Sequence, residues 1–205
     1  MRDIMEDLVC ALIGYAFGCV NFAYIIGKLK GFDIRDKGSG NAGASNITIS
    51  LGWGYGVLTG LMDILKSFAA AMICRHLYPD LPVATFLAGA CAVMGHIFPF
   101  YMKFKGGKGF ASYLGMMLAC NWKLCLVLCI VTVIVTLITN YIAVATLLVV
   151  LITPIYYIYI GADPLIIAVL LVVTAVIFYK HRINIKRIMN GEEIKLRDSN
   201  KHRVM

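Results

Sequence analysis

Charge is scarce in this chain: 15% of its 205 residues are Asp, Glu, Lys or Arg, whereas 60% are hydrophobic. Soluble domains carry about 25% charged and about 45–50% apolar residues, so an ordinary soluble domain is excluded and an integral membrane protein is implied. Acidic residues are the scarcer sign, 11 against 19 Lys and Arg. The resulting +8 is read as a topology signal in a membrane protein, not as a nucleic-acid footprint. The seven cysteines form no CxxC pair, and Cys120, Cys125 and Cys129 lie within or beside apolar runs; neither a disulfide framework nor a zinc site is favoured. HExxH and GxSxG are missing. So is the His-x4-Asp arrangement of many acyltransferases, because Leu81, Tyr101 and Lys186 stand five residues after His76, His96 and His181. The N-terminal Met1-Arg2-Asp3, followed by Glu6 and Asp7, lacks the basic region and cleavage site of a removable signal peptide.

What is present is a series of apolar stretches: Leu8–Gly27, Ile47–Cys74, Val83–Met102, Gly109–Cys120, Leu124–Thr139, Tyr141–Gly161 and Pro164–Tyr179. Asn140-Tyr141 is the polar break that turns the long stretch after Leu124 into a hairpin. A spanning helix needs about 20 residues, so Gly109–Cys120 is short for a crossing. Charge decides its assignment. With seven spans and the N-terminus outside, fifteen of the nineteen Lys and Arg fall in cytoplasmic segments, and Lys66 falls within a span. If Gly109–Cys120 did not cross, the eight basic residues from Lys180 to Arg203 would lie outside, against the positive-inside rule. The expectation is therefore an all-α, polytopic membrane protein of one domain, residues 1–205, with seven transmembrane helices and a cytoplasmic C-terminus. No inverted repeat of the transporter kind is evident.

In that topology three segments rich in glycine and polar residues emerge on one face. Gly38-Ser39-Gly40-Asn41-Ala42-Gly43-Ala44-Ser45-Asn46 alternates glycine with small donors, a pattern that lets backbone N–H groups close around an anion. Its plainer reading is a solvated turn, with Asn46 as N-cap of a helix beginning near Ile47. Lys103-Phe104-Lys105-Gly106-Gly107-Lys108-Gly109 has Met102 and Gly109 where a Walker loop needs Gly and Ser or Thr, so nucleotide binding is disfavoured. Three ammonium groups at the start of a helix still suit an anion, although lysines at a cytoplasmic helix end also serve topology alone. The third segment, His181-Arg182-Ile183-Asn184-Ile185-Lys186-Arg187, places His181 and Asn184 on one helical face. A basic tail that meets anionic headgroups is its plainer reading.

Asp63 and Lys66 lie three residues apart inside the second stretch. Each costs about 2.5–3.5 kcal/mol at mid-membrane if unpaired, so a mutual ion pair is expected. His96 precedes Phe98-Pro99-Phe100 and reads either as a site residue or as a satisfied core histidine.

The three segments, together with Gly95-His96-x-Phe98-Pro99, Asp63-Ile64-Leu65-Lys66 and Gly191-x-Glu193, resemble the bacterial acyl-phosphate:glycerol-3-phosphate acyltransferases, the PlsY family, over nearly the whole chain. The resemblance implies a seven-span enzyme of the bacterial inner membrane with its site facing the cytoplasm. It would make lysophosphatidic acid from glycerol 3-phosphate and a fatty acyl phosphate, with no metal or organic cofactor. It implies catalytic roles for Ser39, Asn41, Lys108, His181 and Asn184. Asn46, Lys105, Gly106, Gly107, Gly109, Lys66, Thr146 and His96 would line or support the substrate site. The implied partners are the two substrates, the bilayer and the enzyme that supplies acyl phosphate. The sequence departs from the family pattern at Ile49, where Arg is usual, and at Ala42, Ser45, Ser67, Asn140 and Ala143. Two other readings compete with catalysis: a membrane transporter or binding protein for an organic phosphate, and a catalytically altered paralogue.

Overall fold

The computed structural model describes residues 4–195 and Arg197. Among them there is no strand, and nine α-helices follow in order: α1 Ile4–Cys19, α2 Phe22–Leu29, α3 Ala44–Leu51, α4 Trp53–Leu77, α5 Pro82–Ile97, α6 Phe110–Cys120, α7 Trp122–Thr139, α8 Ile142–Tyr159 and α9 Pro164–Met189. Two of the expected stretches are divided. The first breaks at Val20-Asn21, where the Asn21 side chain accepts from the Tyr24 N–H and so caps α2. The carbonyls freed by that break find other donors: Tyr101 Oη donates to Cys19 O at 2.8 Å and Lys66 Nζ to Val20 O at 2.7 Å. The second breaks at Gly52 (φ 94°), which separates short α3 from α4.

Six units are long and apolar enough to cross a membrane, with α1 and α2 together forming one of them. The remaining expected span, α6, the fourth in chain order, has eleven residues, a rise of only about 16 Å. It nevertheless runs beside α4 in the same direction. Ser112 Oγ donates to Asp63 O (3.4 Å) near one end of the pair, and Arg75 donates to Ala119 O (3.3 Å) near the other.

Small residues bring α1 and α5 together. A side chain at Gly14 or Gly18 would strike the backbone of Ala88 or Ala92, the close approach that lets helices pack without a hydrophobic drive. The core is apolar, joining Val93 and Ile97 of α5, Tyr113 and Met116 of α6, Leu128 of α7 and Ile177 of α9. By contrast Val127, Ile130, Val133, Ile134 and Leu137 of α7 are exposed, as expected where lipid is the solvent.

Candidate active site

Polar groups from five regions of the chain meet at one end of the bundle around a cavity of about 320 Å³. The first region is the Asp33–Asn46 loop. Asp33 accepts from the Arg35 backbone and guanidinium, a pairing that holds its carboxyl down at about 2. Arg35 also donates to Met102 O at 2.9 Å, tying this loop to the lysine–glycine segment. Asn46 is fully buried and is not the N-cap of α3, a place taken by Gly43. Its amide donates to Ile34 O and Lys37 O, and its oxygen accepts from Ser39 N at 2.7 Å. Asn46 thus fixes the loop from within while Ser39 and Asn41 line the cavity.

The Lys103–Gly109 segment is strapped to the end of α5. Gly106 N donates to Ile97 O and Gly107 N to His96 O, at 3.0 and 3.1 Å. Those two amides are therefore already used, and neither glycine, although the family resemblance implied both at the substrate site, borders the cavity. Their smallness has a different purpose: a Cβ at Gly107 would run into His96 Nε2 and Ala42 O. Lys105 is exposed and also outside the cavity wall. Lys108 and Gly109 do line it, and Gly109 (φ 93°) turns the chain into α6.

Lys108 Nζ donates to Asn184 Oδ1 at 2.5 Å, and Asn184 Nδ2 donates to Glu193 Oε1 at 2.5 Å. Burial pushes the Lys108 ammonium down to about 8. One turn before Asn184, His181 Nδ1 lies 2.8 Å from Ile177 O. A carbonyl only accepts, so Nδ1 carries the proton and Nε2 is left as an acceptor. Thr146 lines the cavity while its hydroxyl donates to Ile142 O.

Beneath the cavity lies a buried ionic cluster. Lys66 Nζ is 2.8 Å from Asp63 Oδ1 and 2.9 Å from His96 Nδ1, with His96 Nδ1 3.3 Å from the same carboxylate oxygen. Asp63 and His96 reach the cavity wall; Lys66 does not.

The electrostatic character of the site was only partly readable beforehand. The first residues of three helices border the cavity: Ala44 and Ser45 of α3, Phe110 and Ala111 of α6, Ile142 and Ala143 of α8. Unpaired N–H groups and the positive dipole end at each N-terminus favour an anion. The sequence pointed to α6 alone. Arg187, Glu193 and Lys195 also line the cavity; the first two fell inside motifs already noted, whereas Lys195 carried no signal of its own.

A glycerol-3-phosphate acyltransferase family profile matches residues 8–191. This chain belongs to that family. It is 40% identical over 202 residues to glycerol-3-phosphate acyltransferase 1 of Oceanobacillus iheyensis, covering 94% of this chain and 96% of that one. It is 36% identical over 191 residues to the glycerol-3-phosphate acyltransferase of Aquifex aeolicus, covering 92% and 98%. Its fold superposes on the crystal structure of PlsY (YgiH), an integral membrane glycerol 3-phosphate acyltransferase, in the glycerol 3-phosphate form. That match has a TM-score of 0.86 and 33% identity over 92% of this chain and 94% of the other. The glycerol-3-phosphate acyltransferase fold is thus that of a multi-pass membrane protein, and the convergent loops and helix ends described here are its candidate active site.

Proposed function

We propose that the protein transfers a fatty acyl group from an acyl phosphate to the 1-hydroxyl of glycerol 3-phosphate, giving lysophosphatidic acid and inorganic phosphate. Both reactants carry phosphate, and the observation that carries the reading is the single cavity on which three helix N-termini, Lys108 and Arg187 converge. In such a site fixed dipoles and cations hold charge that would otherwise keep the reactants apart.

The hydroxyl oxygen attacks the acyl carbonyl carbon, the bond from that carbon to the phosphate oxygen breaks, and phosphate leaves with the electron pair. An acyl phosphate is a mixed anhydride, so its carbonyl is already activated and positioning supplies much of the acceleration. Lys108, held by Asn184, binds phosphate; Ser39 and Asn41 donate to the developing charge. His181 Nε2 accepts from the acceptor hydroxyl and orients it. The proton passes to a phosphate oxygen, whose second pKa of about 6 suits the task. His181 has no carboxylate behind it among the described residues, only the Ile177 carbonyl, which supports orientation over proton abstraction.

The same reading places the site on the cytoplasmic face of the bacterial inner membrane, with α6 as the fourth of seven crossings and the N-terminus outside. Its support is that Lys28, Lys30, Lys103, Lys105 and the basic end of α9 fall in or directly beside the three segments that build the site, in keeping with the positive-inside rule. Glycerol 3-phosphate then arrives from the cytosol and the acyl phosphate from the bilayer or its supplying enzyme. Purified protein given a synthetic acyl phosphate should release phosphate only when glycerol 3-phosphate is present. Release without the acceptor would mean hydrolysis, and no release from folded protein would favour the transporter or the altered paralogue.

A further inference from the structure

Two asparagines fasten the first loop of the site. Asn46 ties its far end to Ile34, Lys37 and Ser39, and α3 is seated on α4, where a Cβ at Gly56 would strike Thr48. The stretch between, residues 41–43, is reached by Asn21 from the break between α1 and α2. Asn21 is fully buried, and its side-chain amide donates to Ala42 O at 3.1 Å across 21 residues of chain. Its side-chain oxygen is committed too, accepting from Tyr24 N at 2.9 Å. A backbone N–H only donates and a carbonyl only accepts, so these two partners fix which end of the amide faces the loop.

Asn21 is itself held in place. Its N–H donates to Tyr101 Oη at 3.4 Å, and the preceding Val20 O receives the Lys66 ammonium at 2.7 Å. On the loop side, Ala42 O lies against Gly107, where a Cβ would come within 2.8 Å of it. Asn41 and Gly43, one residue to either side of Ala42, both line the cavity. The Asn41 amide packs so closely on Gly43 that a Cβ there would stand 2.8 Å from its nitrogen. The orientation of the peptide between Ala42 and Gly43 therefore sets where the Asn41 side chain points. A buried carbonyl deprived of its donor turns toward whatever donor or water remains, and that peptide turns with it.

We propose that Asn21 is a positioning residue of the acyltransfer site. It stands outside the cavity wall and acts through Ala42 O, keeping the Asn41 amide aimed at the charge that develops on the acyl carbonyl. The inference rests on the acyltransfer reading above and deepens it: part of the geometry that meets the developing charge is set at the helix break of the first membrane unit, by a residue that touches neither substrate.

The test uses the full chain, purified in detergent, as wild type, Asn21→Ser and Asn21→Ala. Serine keeps an N-cap oxygen for Tyr24 N but is too short to reach Ala42 O, whereas alanine loses both contacts. If Asn21→Ser does not yield folded protein, Asn21→Asp, of the same shape and likewise a cap, is held to the same outcomes. The cap-retaining variant should lower kcat about tenfold, the effect of a misplacement of under about 1 Å, while both KM values stay within about twofold of wild type. Hydrogen exchange, read by mass spectrometry, should rise over residues 39–47 and stay as in wild type over α7. Asn21→Ala should match that variant in kcat and unfold at a lower temperature. A kcat within about twofold of wild type in the cap-retaining variant would overturn the assignment and leave Asn21 as the cap of α2 alone. Exchange that rises over α7 as well, the mark of general loosening, would also overturn it. If wild type transfers no acyl group, the acyltransfer reading fails, while the exchange over residues 39–47 still decides whether Asn21 holds the loop.

Discussion

Lys108 and Asn184, 76 residues apart in the chain, meet at 2.5 Å and join the lysine–glycine segment to α9. Burial lowers the ammonium to about 8, so the cation is present below that pH and is lost as pH rises through it. The substrate phosphate acts on the other side, gaining its second charge above about pH 6. The kcat/KM profile should therefore rise through about 6 and fall through about 8. Lys108→Arg, whose guanidinium stays charged throughout, should remove the alkaline limb. An unchanged limb in that variant would assign it to another group.

His181 presents Nε2 as an acceptor because Nδ1 is committed to Ile177 O. If it orients the hydroxyl and does not take its proton, His181→Gln should lower kcat by about tenfold or less, well short of the 10²–10⁴-fold loss of a general base. Steady-state kinetics at saturating donor and acceptor decide between the two.

Gly107 has room for hydrogen only, since any Cβ would meet His96 Nε2 and Ala42 O. Gly107→Ala should push the segment outward and displace Lys108, lowering kcat/KM on the order of a hundredfold, the expected effect of a misplacement of about 1 Å. Gly191→Ala is the comparison at a glycine with positive φ (73°) and open surroundings; it should cost about 1–2 kcal/mol of local strain without a clash.

Asp63 and Lys66 are nearly inaccessible to solvent, with side-chain exposures of 2% and 4%. Lys66→Met leaves the carboxylate buried beside His96 alone and should destabilise the protein by about 3–5 kcal/mol. Replacing both, as Asp63→Leu with Lys66→Met, should restore much of that loss. Thermal unfolding in one detergent compares the three proteins, and a double variant less stable than Lys66→Met would refute a simple pairing role.

The parts of this fold that repeat along the sequence were legible in it. Apolar length located α4, α5, α7, α8 and α9, and the Asn140-Tyr141 break gave the α7–α8 turn as observed. Contacts that close between distant segments were not. Nothing local in Val20-Asn21 shows that Lys66 and Tyr101 are there to receive the freed carbonyls. Asn46 reads as a helix cap by residue type, yet tertiary contacts make it the internal fastener of its loop. Local pattern marked the segments that hold Ser39, Asn41, Lys108, His181 and Asn184, whereas the choice of these residues came from the family resemblance; all five line the cavity. Lys195 was not identifiable, because a lysine in a polar tail becomes informative only when Asn184 and Asn140 are seen to hold that tail across the cavity.

The most direct trial of the central claim supplies the purified protein with glycerol 3-phosphate and, in parallel, a long-chain acyl phosphate or the corresponding acyl-coenzyme A. Lysophosphatidic acid and phosphate are then counted by mass spectrometry and phosphate assay. The expected result is one lysophosphatidic acid for each phosphate released from the acyl phosphate, and no product from the thioester. Product formed from the thioester alone, or phosphate set free without lysophosphatidic acid, would contradict it.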